Sequence, residues 1–176
     1  MSELTKADML KRMQDLDEET YATFDVAGRF SITIVGGSAL ILFDYLSRST
    51  DDIDILNINS ELIDLIESYD MNIRVRAHMS NFPYNYEDRV KLIWSGSIID
   101  FYAASLEDIV ISKLCAARSD DLEDIAFLAD KVDWQVLEKL ARDEDELKSN
   151  IMNDRHYSEF LHYYEDYERR FRPCVS

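Results

Sequence analysis

The sequence predicts an α/β fold, in which a mixed sheet with flanking helices occupies residues 1–104 and a helical lobe occupies residues 105–176. Three observations predict it. Two β-branched apolar runs, 32–35 and 53–56, enclose a Gly-Gly-Ser turn and an apolar segment of helical length. Two later apolar runs are separated by a Ser-Gly pair, which is typical of a hairpin. In the second lobe, apolar residues recur at helical spacing.

Each element follows from its apolar pattern, because helices place apolar residues three and four apart and buried strands carry short apolar runs. The predicted elements of the first lobe are a helix over 4–15, a strand over 31–35, a helix over 37–47, a strand over 52–56, a helix over 59–70 and a strand pair at 89–94 and 97–103. A helix over 105–118 then begins the amphipathic series of the second lobe, which ends before Pro173.

The run over residues 72–80 alternates apolar and basic residues, which predicts a half-exposed strand. Its polar face would carry Arg74, Arg76 and His78. That face could contact a nucleic acid or a triphosphate, or it could simply face solvent. The following loop has three aromatic residues between 82 and 86. Their rings could stack on bases, but we expect them to fold back onto the core.

The formal net charge of −17 over 176 residues opposes broad, non-specific binding to nucleic acid or to an anionic membrane. It leaves open a local basic groove or a basic partner protein. The longest apolar run is too short to span a bilayer, and the first residues are polar where a signal peptide would be apolar. Cys115 and Cys174 suggest neither a disulfide framework nor a zinc site. We therefore expect a globular cytoplasmic protein.

Asp52 and Asp54 are the first candidate functional residues. Because successive side chains of a strand point to opposite faces, both carboxylates lie on one side of the strand. Two neighbouring carboxylates repel unless a proton or a cation lies between them, and an oxygen-only pair suits Mg²⁺. The turn formed by Gly36, Gly37 and Ser38 precedes a helix, so its backbone N–H groups could approach a phosphate.

A glycine-rich turn followed by Asp-hydrophobic-Asp resembles the signature of the DNA polymerase β-like nucleotidyltransferase superfamily. The Arg-Ser-Thr-Asp-Asp-Ile-Asp run that begins at Arg48 narrows the resemblance to AbiEii-like toxins and their uncharacterised relatives. The resemblance covers roughly residues 31–129. It implies a nucleotidyltransferase-type fold in which Asp52 and Asp54 hold Mg²⁺ against a nucleoside triphosphate. The turn would grip phosphate, and Arg48 would support the turn or the phosphates.

Asp100 interrupts an apolar strand, so its carboxylate must face a cleft, a cation or a hydrogen-bond donor. The resemblance implies that it is the third metal-binding acid; the alternative is a hydrogen-bonded strand residue. The resemblance also implies that Lys113 contacts the nucleotide, although a lysine beside an apolar helical stripe usually extends to water. Asp124 matches an acid of the resembled branch and could anchor Lys113 or act as a base. Asp120 replaces a lysine of that branch.

The resemblance implies a Mg²⁺-dependent enzyme that moves a nucleoside monophosphate from a nucleoside triphosphate to an RNA or protein acceptor. In the toxin branch, tRNA or a protein would accept it, and an antitoxin could bind the enzyme. One alternative is a catalytically idle member of the same fold that binds nucleotides or a partner. Another is a small-molecule nucleotidyltransferase, because an acidic cleft suits a polycationic antibiotic.

Overall fold

The computed structural model of the chain describes residues 3–25 and 27–174. These residues form two compact units. The first unit comprises the described residues through Ala77 together with Val90–Ala104, and the second comprises His78–Arg89 together with the described residues from Ser105 onward. The segment 78–89 therefore groups with the helical part of the chain.

A five-stranded mixed sheet forms the centre of the first unit, which confirms the predicted α/β class. Its strands are β1 (Phe30–Val35), β2 (Ile53–Ile58), β3 (Met71–Asn72), β4 (Lys91–Ser95) and β5 (Ile99–Ala103). The order across the sheet is β3-β2-β1-β5-β4. β1 runs antiparallel to β2 and parallel to β5, and β3 is parallel to β2.

These strand directions bring the end of β1 and the beginnings of β2 and β3 to the same edge of the sheet. In the register, Val35 lies opposite Asp54 of β2, and Asp54 lies opposite Asn72 of β3. We call this border of the sheet, at which strands begin and end, the Val35 edge. The opposite edge, where β1 begins and where β4 turns into β5, is the Phe30 edge.

Three helices accompany the sheet: α1 (Lys6–Thr23), α2 (Gly36–Leu42) and α3 (Ile63–Glu67). A capping box between Thr5 and Asp8 begins α1, and this helix buries Met9, Met13 and Leu16. α2 is shorter than predicted, because the chain turns away after Leu42 through Asp44, whose φ is +61°. The interior of α2 is buried, as its apolar composition predicts.

The predicted strand over residues 72–80 is wrong. β3 ends at Asn72, and a 3₁₀ segment, Arg74–Asn81, follows. The side-chain oxygen of Asn72 accepts the Arg74 backbone N–H at 3.0 Å. Such a local hydrogen bond competes with the strand ladder and turns the chain. Arg74 and Arg76 are therefore exposed on a helical turn and form no strand face.

The turn between β4 and β5 is tied to α1. The buried carboxylate of Asp17 accepts the backbone N–H groups of Ser97, Ile98 and Ile99 at 2.6, 2.9 and 2.8 Å. A Cβ on Gly96 would overlap this carboxylate, so the turn requires glycine there. The predicted hairpin is thus confirmed, and a carboxylate about 80 residues earlier in the chain satisfies its donors.

The second unit is helical, as predicted. Its helices are α4 (Leu106–Ala116), α5 (Ser119–Leu128), α6 (Trp134–Ala141) and α7 (Asp154–Phe171), with a π turn at Glu144–Lys148. α4 lies against the other three helices. Ser105 caps it, and Ala117, with φ of +49°, ends it. No helix in the described part of the chain is long and apolar enough to cross a membrane.

Two rings of the aromatic loop, Phe82 and Tyr86, are buried with their centroids 5.8 Å apart, as expected, whereas Tyr84 is exposed. Arg89 holds this segment to α4 by donating to both carboxylate oxygens of the buried Asp108, at 2.9 and 2.8 Å. The loop thus contributes mainly to the packing of the second unit.

Candidate active site

The Val35 edge brings together the glycine-rich turn and the Asp-Ile-Asp run. Asp54 lies in β2 opposite Val35, the residue that immediately precedes Gly36. Asp52 lies two residues earlier and is half-buried. The structure thus brings the Asp54 carboxylate against the backbone of the glycine-rich turn, and Asp52 lies just before the strand that carries Asp54.

Gly36 allows the turn to lie directly against Asp54. Its φ is +66°, a left-handed conformation that side chains disfavour. A Cβ at this position would lie only 2.7 Å from Asp54 Oδ2. The carboxylate therefore occupies the space that any other residue would fill, so this glycine fixes where the acid lies.

Ser38 positions the backbone of Asp54. Its hydroxyl is buried, donates to the Val35 carbonyl at 2.8 Å and accepts the Asp54 backbone N–H at 3.2 Å. Because these contacts engage the hydroxyl inside the protein, the predicted grip on phosphate does not apply to this side chain. α2 has only seven residues, and phosphate binding by the backbone of Gly36 and Gly37 stays a prediction.

Arg48, which was predicted to support the turn or the phosphates, lies beside the turn. A Cβ on Gly37 would be 3.5 Å from Nη2 of Arg48. Arg48 is also an exposed residue, so it lies at the surface close to the backbone of the turn. This location fits support of the turn, and the phosphate contact remains a prediction.

Asn72 belongs to the site, although the sequence analysis assigned it no role. Its Nδ2 group donates to Asp54 Oδ1 at 2.8 Å from the neighbouring strand. Since its own oxygen accepts the Arg74 N–H, the amide orientation is fixed at both ends. The available signal was a polar residue opening an apolar run, but only strand pairing places it opposite Asp54.

The structure does not bring Asp100 to Asp52 and Asp54. Asp100 pairs with Ser31 at the Phe30 edge, whereas Asp54 pairs with Val35. Ser31 and Val35 are four residues apart along β1, which corresponds to about 13 Å of strand. The prediction that Asp100 completes the metal site is therefore corrected, because β5 runs parallel to β1 and carries this acid at its beginning.

Asp100 is instead a hydrogen-bonded strand residue, which was the alternative prediction. Arg29 donates to its two carboxylate oxygens at 3.0 and 2.7 Å. Hydrogen bonds from Arg29, and then from Ser95, lower the pKa of Asp100 below its ordinary value. Arg29 also donates to the carbonyls of Gly96 and Ser97, so this ion pair secures the turn between β4 and β5.

Lys113 and Asp124 lie in the second unit and are buried together. The Lys113 ammonium donates to Asp121 at 2.8 Å and to Asp124 at 3.0 Å. Burial tends to raise the pKa of Asp121, but hydrogen bonds from Arg118 and Lys113 outweigh it, and the pKa is lowered. Lys113 neither extends to water nor presents a free ammonium to a ligand. Asp124 has the anchoring contact that was one of its predicted roles.

The carboxylates at the Val35 edge can supply only part of the coordination of Mg²⁺. Among residues 3–25 and 27–174, no group of three or more His, Cys, Asp or Glu side chains could hold a metal ion. However, Mg²⁺ is commonly bound by only one or two carboxylates, with water and substrate phosphates completing its coordination. Asp52 and Asp54 supply that minimal set, so the residues fit a cation that is bound together with a phosphorylated substrate.

Comparison with known proteins agrees with this arrangement. A family model described as "Nucleotidyltransferase of unknown function (DUF6036)" matches residues 11–172. No curated protein and no solved structure matches the chain. The family match includes the glycine-rich turn, both carboxylates and Asn72, and it extends through the helical unit. It also agrees with the mixed sheet and its helices, so the chain belongs to this nucleotidyltransferase family.

Proposed function

We propose that the protein transfers a nucleoside monophosphate from a Mg²⁺-bound nucleoside triphosphate to a hydroxyl acceptor. One observation carries the proposal: the Asp54 carboxylate lies against the backbone of Gly36, where any side chain would displace it. A carboxylate held at a glycine-rich turn can bind a cation while phosphate approaches the same backbone.

The residues at the Val35 edge would have separate roles in the reaction. Asp52 and Asp54 would hold the cation, which, when bound, neutralises the phosphates and stabilises the departing pyrophosphate. Asn72 keeps one oxygen of Asp54 engaged and so fixes the carboxylate plane. Ser38 holds the backbone of Asp54 in place. The protein thus acts by positioning charged groups, which is the main demand of phosphoryl transfer.

For the acceptor, we propose an RNA end, such as that of tRNA, or a protein hydroxyl in the cytoplasm. The support is the resemblance of residues 31–129 to the AbiEii-like toxin branch, which would add an antitoxin partner. The net charge of −17 favours an acceptor that binds through a local surface or through a basic protein.

The test is incubation of the purified protein with Mg²⁺, each of four α-³²P-labelled nucleoside triphosphates, total RNA and cell extract. We expect label to enter a macromolecule with wild type and not with Asp54→Asn. Asp100→Asn is the matched control, because it makes the same chemical change at the other edge of the sheet. Transfer by Asp54→Asn at the wild-type rate would contradict the proposal.

A second candidate is a catalytically idle member that binds nucleotides or a partner. The observation that favours it is the lack of a three-acid metal group within the described residues. The two candidates differ in turnover. An idle member would bind a Mg²⁺–nucleotide complex in an Asp54-dependent manner and yield no labelled product with any acceptor fraction.

A further inference from the structure

A cleft of about 670 Å³ opens beside Asp52 in the first unit. Its walls come from α1, the segment before β2, the end of α3 and the start of β3. Its volume lies within the range of about 300–1,000 Å³ that is usual for small-molecule sites. The cleft is thus large enough for a nucleotide.

The cleft adjoins the candidate active site through two residues. Asp52 lines the cleft directly. Asn72 also lines it and donates to Asp54 at 2.8 Å. A molecule in the cleft would therefore lie next to the carboxylates that are proposed to hold Mg²⁺.

The two arginines of the cleft differ in their contacts. Arg12 donates to the Tyr69 carbonyl at 2.9 Å and lies 3.6 Å from the Asp70 carboxylate. The exposed Arg74 guanidinium has no hydrogen-bond or ion-pair partner among the residues that the structure describes. Its backbone N–H is fixed by Asn72, so the side chain starts from a defined point on the cleft wall.

We propose that this cleft holds the nucleoside triphosphate and that Arg74 contacts its phosphates. A guanidinium offers paired donors that match phosphate oxygens, and Arg74 is the lining arginine whose donors are not already engaged. The inference rests on the proposed function and adds a binding residue outside the sequence motif.

The charge of the cleft adds a condition. Four carboxylates and two guanidinium groups line it. A bare triphosphate would meet net repulsion there, so it binds with a divalent cation that compensates this charge. Nucleotide affinity should consequently depend on Mg²⁺ and on Arg74 together.

The test is calorimetric titration of the wild type, Arg74→Ala, Arg74→Lys and Arg76→Ala with ATP, GTP, CTP and UTP, with and without Mg²⁺. Arg76 is the matched control, because it is exposed on the same 3₁₀ segment and does not line the cleft. We expect Arg74→Ala to weaken the preferred nucleotide about tenfold to a hundredfold, since it removes hydrogen bonds to a charged group. The nucleotide affinity of Arg74→Lys should lie between those of wild type and Arg74→Ala. The affinity of Arg76→Ala should equal that of wild type. Equal melting temperatures would show that the variants remain folded.

The outcomes separate this inference from the proposed function. Loss of binding in Asp54→Asn but not in Arg74→Ala would overturn the placement in the cleft and leave nucleotidyl transfer standing. No Mg²⁺-dependent binding by wild type would overturn both. If Arg74→Ala kept nucleotide affinity but bound spermine more tightly than wild type, the cleft would belong to a cationic acceptor, and the inference would be wrong.

Discussion

Gly36 has no side chain, and this allows the backbone of the turn to lie against Asp54. We predict that Gly36→Ala destabilises the protein by about 1–3 kcal/mol, because it combines a left-handed conformation with a crowded Cβ. It should also abolish Mg²⁺-dependent nucleotide binding by displacing the carboxylate. Urea unfolding and calorimetric titration measure the two effects.

Gly28→Ala is the control for this prediction, since a Cβ there meets no atom within 4 Å. We expect its stability and nucleotide affinity to remain close to those of wild type. If Gly36→Ala bound nucleotide as tightly as Gly28→Ala does, the contact between the turn and Asp54 would have no functional role.

Asn72 offers a second test at the scale of one side chain. We predict that Asn72→Ala lowers transfer activity about tenfold or more, the usual effect of losing a group that orients a metal ligand. Asn72→Asp places a third carboxylate beside Asp54, so it should bind Mn²⁺ more tightly than wild type. Electron paramagnetic resonance of free Mn²⁺ measures that affinity. Weaker Mn²⁺ binding by Asn72→Asp than by Asn72→Ala would show that the position lies outside the metal site.

The sequence located the residues of the site that are close together along the chain. Gly36 and Asp54 were found because one short strand–helix–strand unit carries both. Asp100 was assigned to the site and Asn72 was overlooked for a common reason. Their locations depend on which strands pair and in which direction, and the apolar pattern of a single strand does not identify its neighbour in the sheet. Lys113 was assigned to ligand binding from the resemblance alone. The structure pairs it with Asp121 and Asp124 of the next helix, and anchoring by Asp124 was the alternative prediction.

Among the elements, the hairpin of β4 and β5 depends on a contact with α1. We predict that Asp17→Asn destabilises the protein by about 1–3 kcal/mol, because an amide nitrogen would face backbone N–H groups that the carboxylate now accepts. Chemical denaturation measures the change. Asp15→Asn, on the exposed side of the same helix, should lower the free energy of unfolding much less. Equal losses of stability in the two variants would contradict this account.

The pairing of α4 with α5 depends on the buried Lys113. We predict that Lys113→Met destabilises the protein by about 3–5 kcal/mol, because it leaves the carboxylates of Asp121 and Asp124 without their buried cation. Lys139→Met, at an exposed position of α6, is the control. A stable Lys113→Met that only lost nucleotide affinity would instead support the ligand contact implied by the resemblance.

Asp121 makes this pairing sensitive to acid. Its pKa in the folded protein lies below the ordinary value of 3.8, so its contribution to stability is complete above about that pH. The contribution is lost as the pH falls through the lower folded-state pKa. We predict that the unfolding free energy of Asp121→Asn depends less on pH below 4 than that of wild type. Denaturation curves between pH 2 and 5 would measure the difference, and parallel pH dependences would contradict it.

For the whole molecule, the dominant quantity is the net charge of −17. Like charges repel one another across the folded surface, and salt screens that repulsion within a Debye length of about 10 Å at 0.1 M. We predict that NaCl between 0.01 and 0.3 M raises the melting temperature. Calorimetric scans measure it, with sucrose as an uncharged comparison. A melting temperature that falls with NaCl would mean that favourable ion pairs outweigh the repulsion.

The hydrogen bonds between Asp17 of α1 and the β4–β5 turn also have a consequence while the chain is being synthesised. The Asp17 carboxylate accepts amides that lie 80 to 82 residues later. At a translation rate of about 5–20 residues per second, α1 exists for roughly 4–16 s before those amides are made. During that interval the buried methionines of α1 lack their final surroundings. A ribosome that stalls between α1 and β5 would therefore expose a helix that chaperones and proteases can recognise.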